Sequence, residues 1–197
     1  MFKIIDKPPA FASRAVGILE GQLHLYPLGG ERSIVLKTAD GTEIPGVAHE
    51  RVVQAILKDP RLLFVPVRLL VYPRTEKNRL KIIGVDIEAK GDETSEQNDL
   101  FLIQGFNIGC RNQNMAQLGI RPNKRSKHQF EKFWLTMFGE LTDNEKCVYR
   151  VKVERKGRKL YIIESDPILP QKCLPKKSLF STSSDQPRSK KELVSKI

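Results

Sequence analysis

The chain repeats itself, and the repeat limits what it can fold into. Residues 68–87 read RLLVYPRTEKNRLKIIGVDI, and residues 149–168 read YRVKVERKGRKLYIIESDPI. Each is a strand pattern running to an arginine (Arg74, Arg155), a basic polar turn, and then Leu-x-Ile-Ile-x-x-Asp. The pairs Leu80/Leu160, Ile82/Ile162, Ile83/Ile163 and Asp86/Asp166 all share a single offset. Upstream, Leu19-Glu20-Gly21 resembles Ile103-Gln104-Gly105 at nearly the same separation. A closing hairpin and an opening strand that recur at nearly one offset predict two related units in tandem. Residues 1–90 and 100–170 are expected to form two separate, superposable β-barrels. The acid-rich residues 91–99 between them read as a solvated linker.

The first unit opens with a strand near Ala15–Tyr26, then a strand pair, Ser33–Thr38 and Thr42–Pro45, around the turn Ala39-Asp40-Gly41. An amphipathic helix over Ala48–Leu57 follows, with Val52, Val53, Ile56 and Leu57 on one stripe and Asp59-Pro60 after it. Strands over Phe64–Tyr72 and Arg79–Glu88 close the unit. The second unit is expected to carry strands at 100–108, 130–141, 147–155 and 159–165. In place of a helix it has a long polar segment, Gly109–Gln129, expected between its first and second strands.

Strand, hairpin, helix, hairpin is the element order of the five-stranded Greek-key barrel that binds oligonucleotides. Over residues 15–168 the chain resembles the OB-fold nucleic-acid-binding superfamily. The resemblance implies a mainly β protein: tandem OB-like five-stranded barrels with one short helix. Residues 171–197, rich in Ser, Pro and Lys, add a flexible basic C-terminal tail. Bacterial single-strand binding proteins end in an acidic tip that recruits partners. This chain ends Lys190-Lys191-Glu192-Leu193-Val194-Ser195-Lys196-Ile197, so that role is not implied.

Charge points the same way. The chain sets 34 Lys and Arg against 23 Asp and Glu, a formal net charge of +11. Such a balance favours an anionic partner, most often nucleic acid. The segment Arg111–Gln129 holds Arg111, Arg121, Lys124, Arg125, Lys127 and His128 with no acid. Between the first two strands of an OB-like barrel, it would flank the binding face and clamp a phosphate backbone.

Alternation assigns the facing side chains. In Cys147–Arg155, Tyr149, Val151 and Val153 face in, leaving Arg150 and Lys152 outward. In Phe133–Phe138, an inward Phe133, Leu135 and Met137 leave Trp134 and Phe138 outside; beside Leu160, Tyr161 also points out. Were these strands adjacent, aromatic and cationic groups would share one face, which suits single strands because every base has a π-face to stack. The alternative is that Trp134 and Phe138 pack in the core or join one barrel to the other.

No P-loop, G-x-S-x-G, H-E-x-x-H or EF-hand pattern occurs, and His24, His49 and His128 lie far apart in sequence. The three cysteines form no C-x-x-C, so no disulfide framework, zinc site or cofactor is expected. The start of the chain lacks an apolar signal core, and no apolar run is long enough to span a bilayer, which predicts a cytoplasmic protein. The expected function is non-catalytic binding of single-stranded DNA or RNA. The alternative is a structural or adaptor subunit of a larger nucleoprotein complex, with barrels that bind protein.

Overall fold

The computed structural model describes residues 13–26, 32–90, 98–112, 114–121, 132–141 and 147–170. The basic tail and most of the acidic linker lie outside the described residues. The first unit contains β1 (Arg14–Leu25), β2 (Ser33–Thr38), β3 (Glu43–Ala48), α1 (Glu50–Lys58), β4 (Pro66–Glu76) and β5 (Arg79–Ala89). Its turns follow from local chemistry. Gly41 takes φ 78° between β2 and β3, and Lys77-Asn78 take φ 50° and 61° at the β4–β5 tip, the backbone that a two-residue hairpin requires. His49 caps α1 by accepting the Arg51 N–H at Nδ1. Val52 and Ile56 are buried beneath the barrel, whereas Leu57, expected on the same stripe, is 68% exposed. It sits about 100° further round the helix than Ile56.

Around the first unit the strands run β1–β2–β3–β5–β4 and return to β1, closing a five-stranded barrel of OB-like order with a parallel β3–β5 pair. The second unit contains β6 (Leu100–Asn112), β7 (Met115–Ile120), β8 (Phe133–Phe138), β9 (Cys147–Lys156) and β10 (Lys159–Pro170). It repeats the cycle as β6–β7–β8–β10–β9–β6, with the parallel β8–β10 side reduced to the pair Tyr161↔Phe138. The chain is mainly β, and α1 is the one α-helix among the described residues.

One expected loop is a strand. β7 lies within the segment that reads as polar loop, so the basic residues after it join the second and third strands, not the first and second. Ala116, Leu118 and Ile120 of β7 are buried. Its Ala and Gly are poor strand formers, and pairing on both edges overrides that weak local preference.

The two units are not separate bodies either. β1 and β6 pair antiparallel in the register Arg14↔Gln104, Ala15↔Ile103, Val16↔Leu102 and Gly17↔Phe101, so all ten strands belong to one hydrogen-bonded sheet. Gly17 and Phe101 stand at the same sequence separation as Gly21 and Gly105, so equivalent residues of the two units meet there across a local two-fold. A Cβ on Gly17 would lie 2.2 Å from the Phe101 ring, so the ring occupies the space that the glycine leaves. The interiors merge, with Leu19, Leu36, Leu69, Ile103, Leu135 and Tyr149 in one buried cluster.

Each closing hairpin reaches into the other unit. Arg155 pairs with Leu160 as Thr75 pairs with Leu80, so Thr75, not Arg74, occupies the place of Arg155 in the repeat. The Thr75 hydroxyl donates to the Trp134 carbonyl at 3.3 Å and accepts the Thr136 N–H at 2.9 Å. Arg74 beside it stacks over Phe133, 3.4 Å from the ring centroid, and burial pushes its pKa down to about 10. In the opposite direction, the Leu80 N–H donates to the Arg158 carbonyl at 2.7 Å. Arg155, 5% exposed, makes two bonds to Asp99 (2.6 and 2.9 Å) and one to Asp40 in the β2–β3 turn (2.9 Å). Asp99, counted with the linker in the sequence, is therefore part of the fold.

The seam and the clasp can each be tested by substitution. Gly17→Ala should destabilise the fold by about 1–3 kcal/mol by overpacking, and Phe101→Leu in the same chain should recover part of the loss, as read from urea midpoints. Arg155→Ala should cost about 1–3 kcal/mol, because it removes a buried side chain and its charge-assisted bonds to two partly exposed carboxylates. Burial alone would raise the Asp40 pKa, but bonds from the Thr38 hydroxyl, the Thr42 N–H and Arg155 together carry it well below its usual value of 3.8. A lowered folded pKa means that Asp40 stabilises above 3.8 and that this contribution fades as pH falls from there toward the folded value. Acid melts of Asp40→Asn should therefore show a shallower loss below about pH 4 than the parent chain.

Candidate nucleic-acid interface

β8 carries the aromatic face. Leu135 and Met137 are buried in the core, while Trp134 is 40% exposed and Phe138 half-buried. Trp134 stands opposite Gly119 of β7. A Cβ at Gly119 would lie 2.5 Å from the indole Cζ3 and 3.0 Å from Cε3, so the ring lies against the β7 backbone at that residue. One side of the indole is thereby fixed, while two-fifths of the residue stays open to solvent.

Further along the same strand, Phe138 stacks with Tyr161 of β10, their centroids 5.3 Å apart and their planes 27° apart. The Lys159 ammonium lies 4.9 Å from the Phe138 centroid and that of Lys156 lies 5.8 Å from Tyr161. Lys156 also pairs with Glu154 at 3.2 Å. At about 3.3 Å per residue, Trp134 and Phe138 stand roughly 13 Å apart on one rigid strand.

The remaining predicted residues do not all join this face. Arg150 and Lys152 point outward as alternation predicts, but they lie on β9, and β10 intervenes between β9 and β8. Arg150 is flanked by Gln104 of β6 and Asp166 of β10. The Arg121 guanidinium packs over Phe106 at 4.5 Å, and burial lowers its pKa. Lys124, Arg125 and Lys127 lie outside the described residues; Arg111 falls in β6, but its side chain is not among those described.

Sequence reasoning missed Gly119, Lys156 and Lys159. The lysines were visible as the basic turn of the repeat, but nothing local tied that turn to Phe138 and Tyr161.

The first unit differs. Arg68 is buried against Glu88 at 3.3 Å, Arg74 lies on Phe133, and Lys81 pairs with Glu76. Its outer row, running Ser33, Val47, Ile83 and Tyr72 across four paired strands, holds no cation. Tyr26, hydrogen-bonded through its N–H to the Ser33 carbonyl, extends that row.

Among the described residues no group of three or more His, Cys, Asp or Glu side chains is placed to hold a metal ion, and no helix is long and apolar enough to cross a membrane. Cys147 is buried. The chain matches no protein-family model, no curated protein and no solved structure.

Trp134 is the single tryptophan of the chain, so its fluorescence reports on this face alone. Gly119→Val should lift the indole off β7. The expected result is a red-shifted emission with a stability loss of about 1–3 kcal/mol.

Proposed function

We propose that the protein binds single-stranded DNA or RNA, without catalysis, across the outer face of β8 and its junction with β10. The observation that carries this reading is the arrangement on β8. A backbone-supported indole and Phe138 lie on one strand, Phe138 stacks with Tyr161 of β10 beside two lysines, and the arginine- and lysine-rich segment 121–132 leads into that strand. Bases stack on aromatic rings at about 1–3 kcal/mol each whatever their sequence, while cations collect phosphates. The net charge of +11 supplies the long-range attraction.

A second reading, an adaptor in a nucleoprotein assembly, is favoured by one feature of the first unit. Tyr26 and Val47, both about half exposed, give that barrel an apolar outer row that suits protein contact. A reducing, cytoplasmic setting fits both readings and a chain whose three cysteines form no C-x-x-C.

The test is a titration of labelled single-stranded DNA, single-stranded RNA and duplex at two salt concentrations. Single strands should bind more tightly than duplex and quench Trp134. Trp134→Ala should weaken binding by about 1–3 kcal/mol at every salt concentration. Replacing Lys124, Arg125 and Lys127 together should flatten the salt slope by about 0.7 for each phosphate no longer neutralised. If Trp134→Ala lowers the melting temperature and leaves binding intact, the adaptor reading takes over.

A further inference from the structure

β8 pairs with β7 along one edge, but along the other its named strand neighbour is β10, and only at Phe138. The Trp134 carbonyl and the Thr136 N–H point toward that second edge, since alternate residues of a strand direct their backbone polar groups to the same side. Thr75 fills it. Its hydroxyl donates to one of these groups and accepts from the other, standing in for a missing strand neighbour. Arg74, the next residue of the same hairpin, covers Phe133 at the start of β8.

We propose that Thr75 is a positioning residue for the aromatic face, so that the first unit takes part in binding by holding β8 rather than by touching the ligand. This rests on the reading of β8 as the binding strand. The Trp134 side chain hangs from the very residue whose carbonyl Thr75 holds, so the indole's seat on Gly119 depends on a group contributed by the other unit. A hydroxyl is required in that place. A single group must both donate and accept there, and a buried backbone N–H left unpaired is costly.

The experiment uses the full chain and a labelled single-stranded oligothymidylate, and compares Thr75→Val, Thr75→Ser and Arg74→Met with Trp134→Ala. Thr75→Val keeps the shape and removes the hydroxyl. It should weaken binding roughly fivefold, about the worth of one neutral hydrogen bond, with the salt slope unchanged. Trp134 emission and anisotropy should shift in the free protein, and Thr75→Ser should restore both. Arg74→Met, which keeps a long apolar stem over Phe133, should move emission the same way and serves as the probe if Thr75→Val does not fold.

Wild-type affinity in Thr75→Val, with binding lost in Trp134→Ala, overturns the positioning role and leaves the binding strand standing. A loss of stability with Trp134 emission unchanged also overturns it, because the hydroxyl would then act only on the fold. Wild-type affinity in Trp134→Ala removes the binding reading itself, and the positioning role with it.

Discussion

The antiparallel pairing of β1 with β6 is the contact on which the rest depends. Four register pairs place Gly17 against its own repeat equivalent, Phe101, so the two units are related much as the subunits of a symmetric dimer are. That geometry carries the β4–β5 hairpin to the free edge of β8 beside β10, and the β9–β10 hairpin to the β2–β3 turn, Asp99 and Leu80. Here the β8–β10 side is a single register pair, and the opposite unit supplies Thr75 to complete it.

The two halves of the exchange use different chemistry at one repeat position. Thr75 satisfies two backbone groups of β8 with one small hydroxyl. Arg155, its counterpart in the second unit, must cross to a turn and a linker residue, and it takes a buried guanidinium and two carboxylates to do so. Buried ion pairs are weak sources of net stability, yet removing one partner is costly, which makes them better at fixing geometry than at adding stability. The same divergence runs through the row Glu20–Arg68–Glu88 and its counterpart Gln104–Arg150–Asp166, aligned by the β1–β4–β5 and β6–β9–β10 registers. Arg68 is 5% exposed while Arg150 is only half-buried, so the second unit keeps the row and relaxes its burial.

Much of the fold was legible in the sequence because the repeat is written in inward-facing residues. Leu80/Leu160 and Ile82/Ile162 recur because the pleat turns them toward the core at the same distance from a hairpin tip. Tyr149, Val151 and Val153 alternate for the same reason, and that parity correctly turned Arg150 and Lys152 outward. What parity cannot tell is which strand lies next to which. The Greek-key order puts β10 between β8 and β9, so Arg150 and Lys152 part from Trp134 while Tyr161 joins Phe138. Arg155 read only as the arginine that ends a strand pattern, because its acceptors lie 56 and 115 residues away. β7 escaped notice because its strand character comes from neighbours on both edges and not from its own Ala and Gly.

The asymmetry between the units explains why the proposed stacking face belongs to the second. A ring that binds bases well is one that is already ordered, because fixing a free side chain on binding costs about 0.5–1.5 kcal/mol. Trp134 is held by the bare backbone at Gly119, and Phe138 and Tyr161 hold each other. None of these supports exists on the matching strand of the first unit, where β3 reads Glu43-Ile44-Pro45-Gly46-Val47-Ala48 and carries no aromatic side chain at all. On the proposed function, exchange of the hairpins therefore works in one direction. The first unit, with Arg68 and Arg74 committed to Glu88 and Phe133, supplies rigidity, and the second, with Lys156 and Lys159 set beside its rings, presents the surface proposed for a single strand.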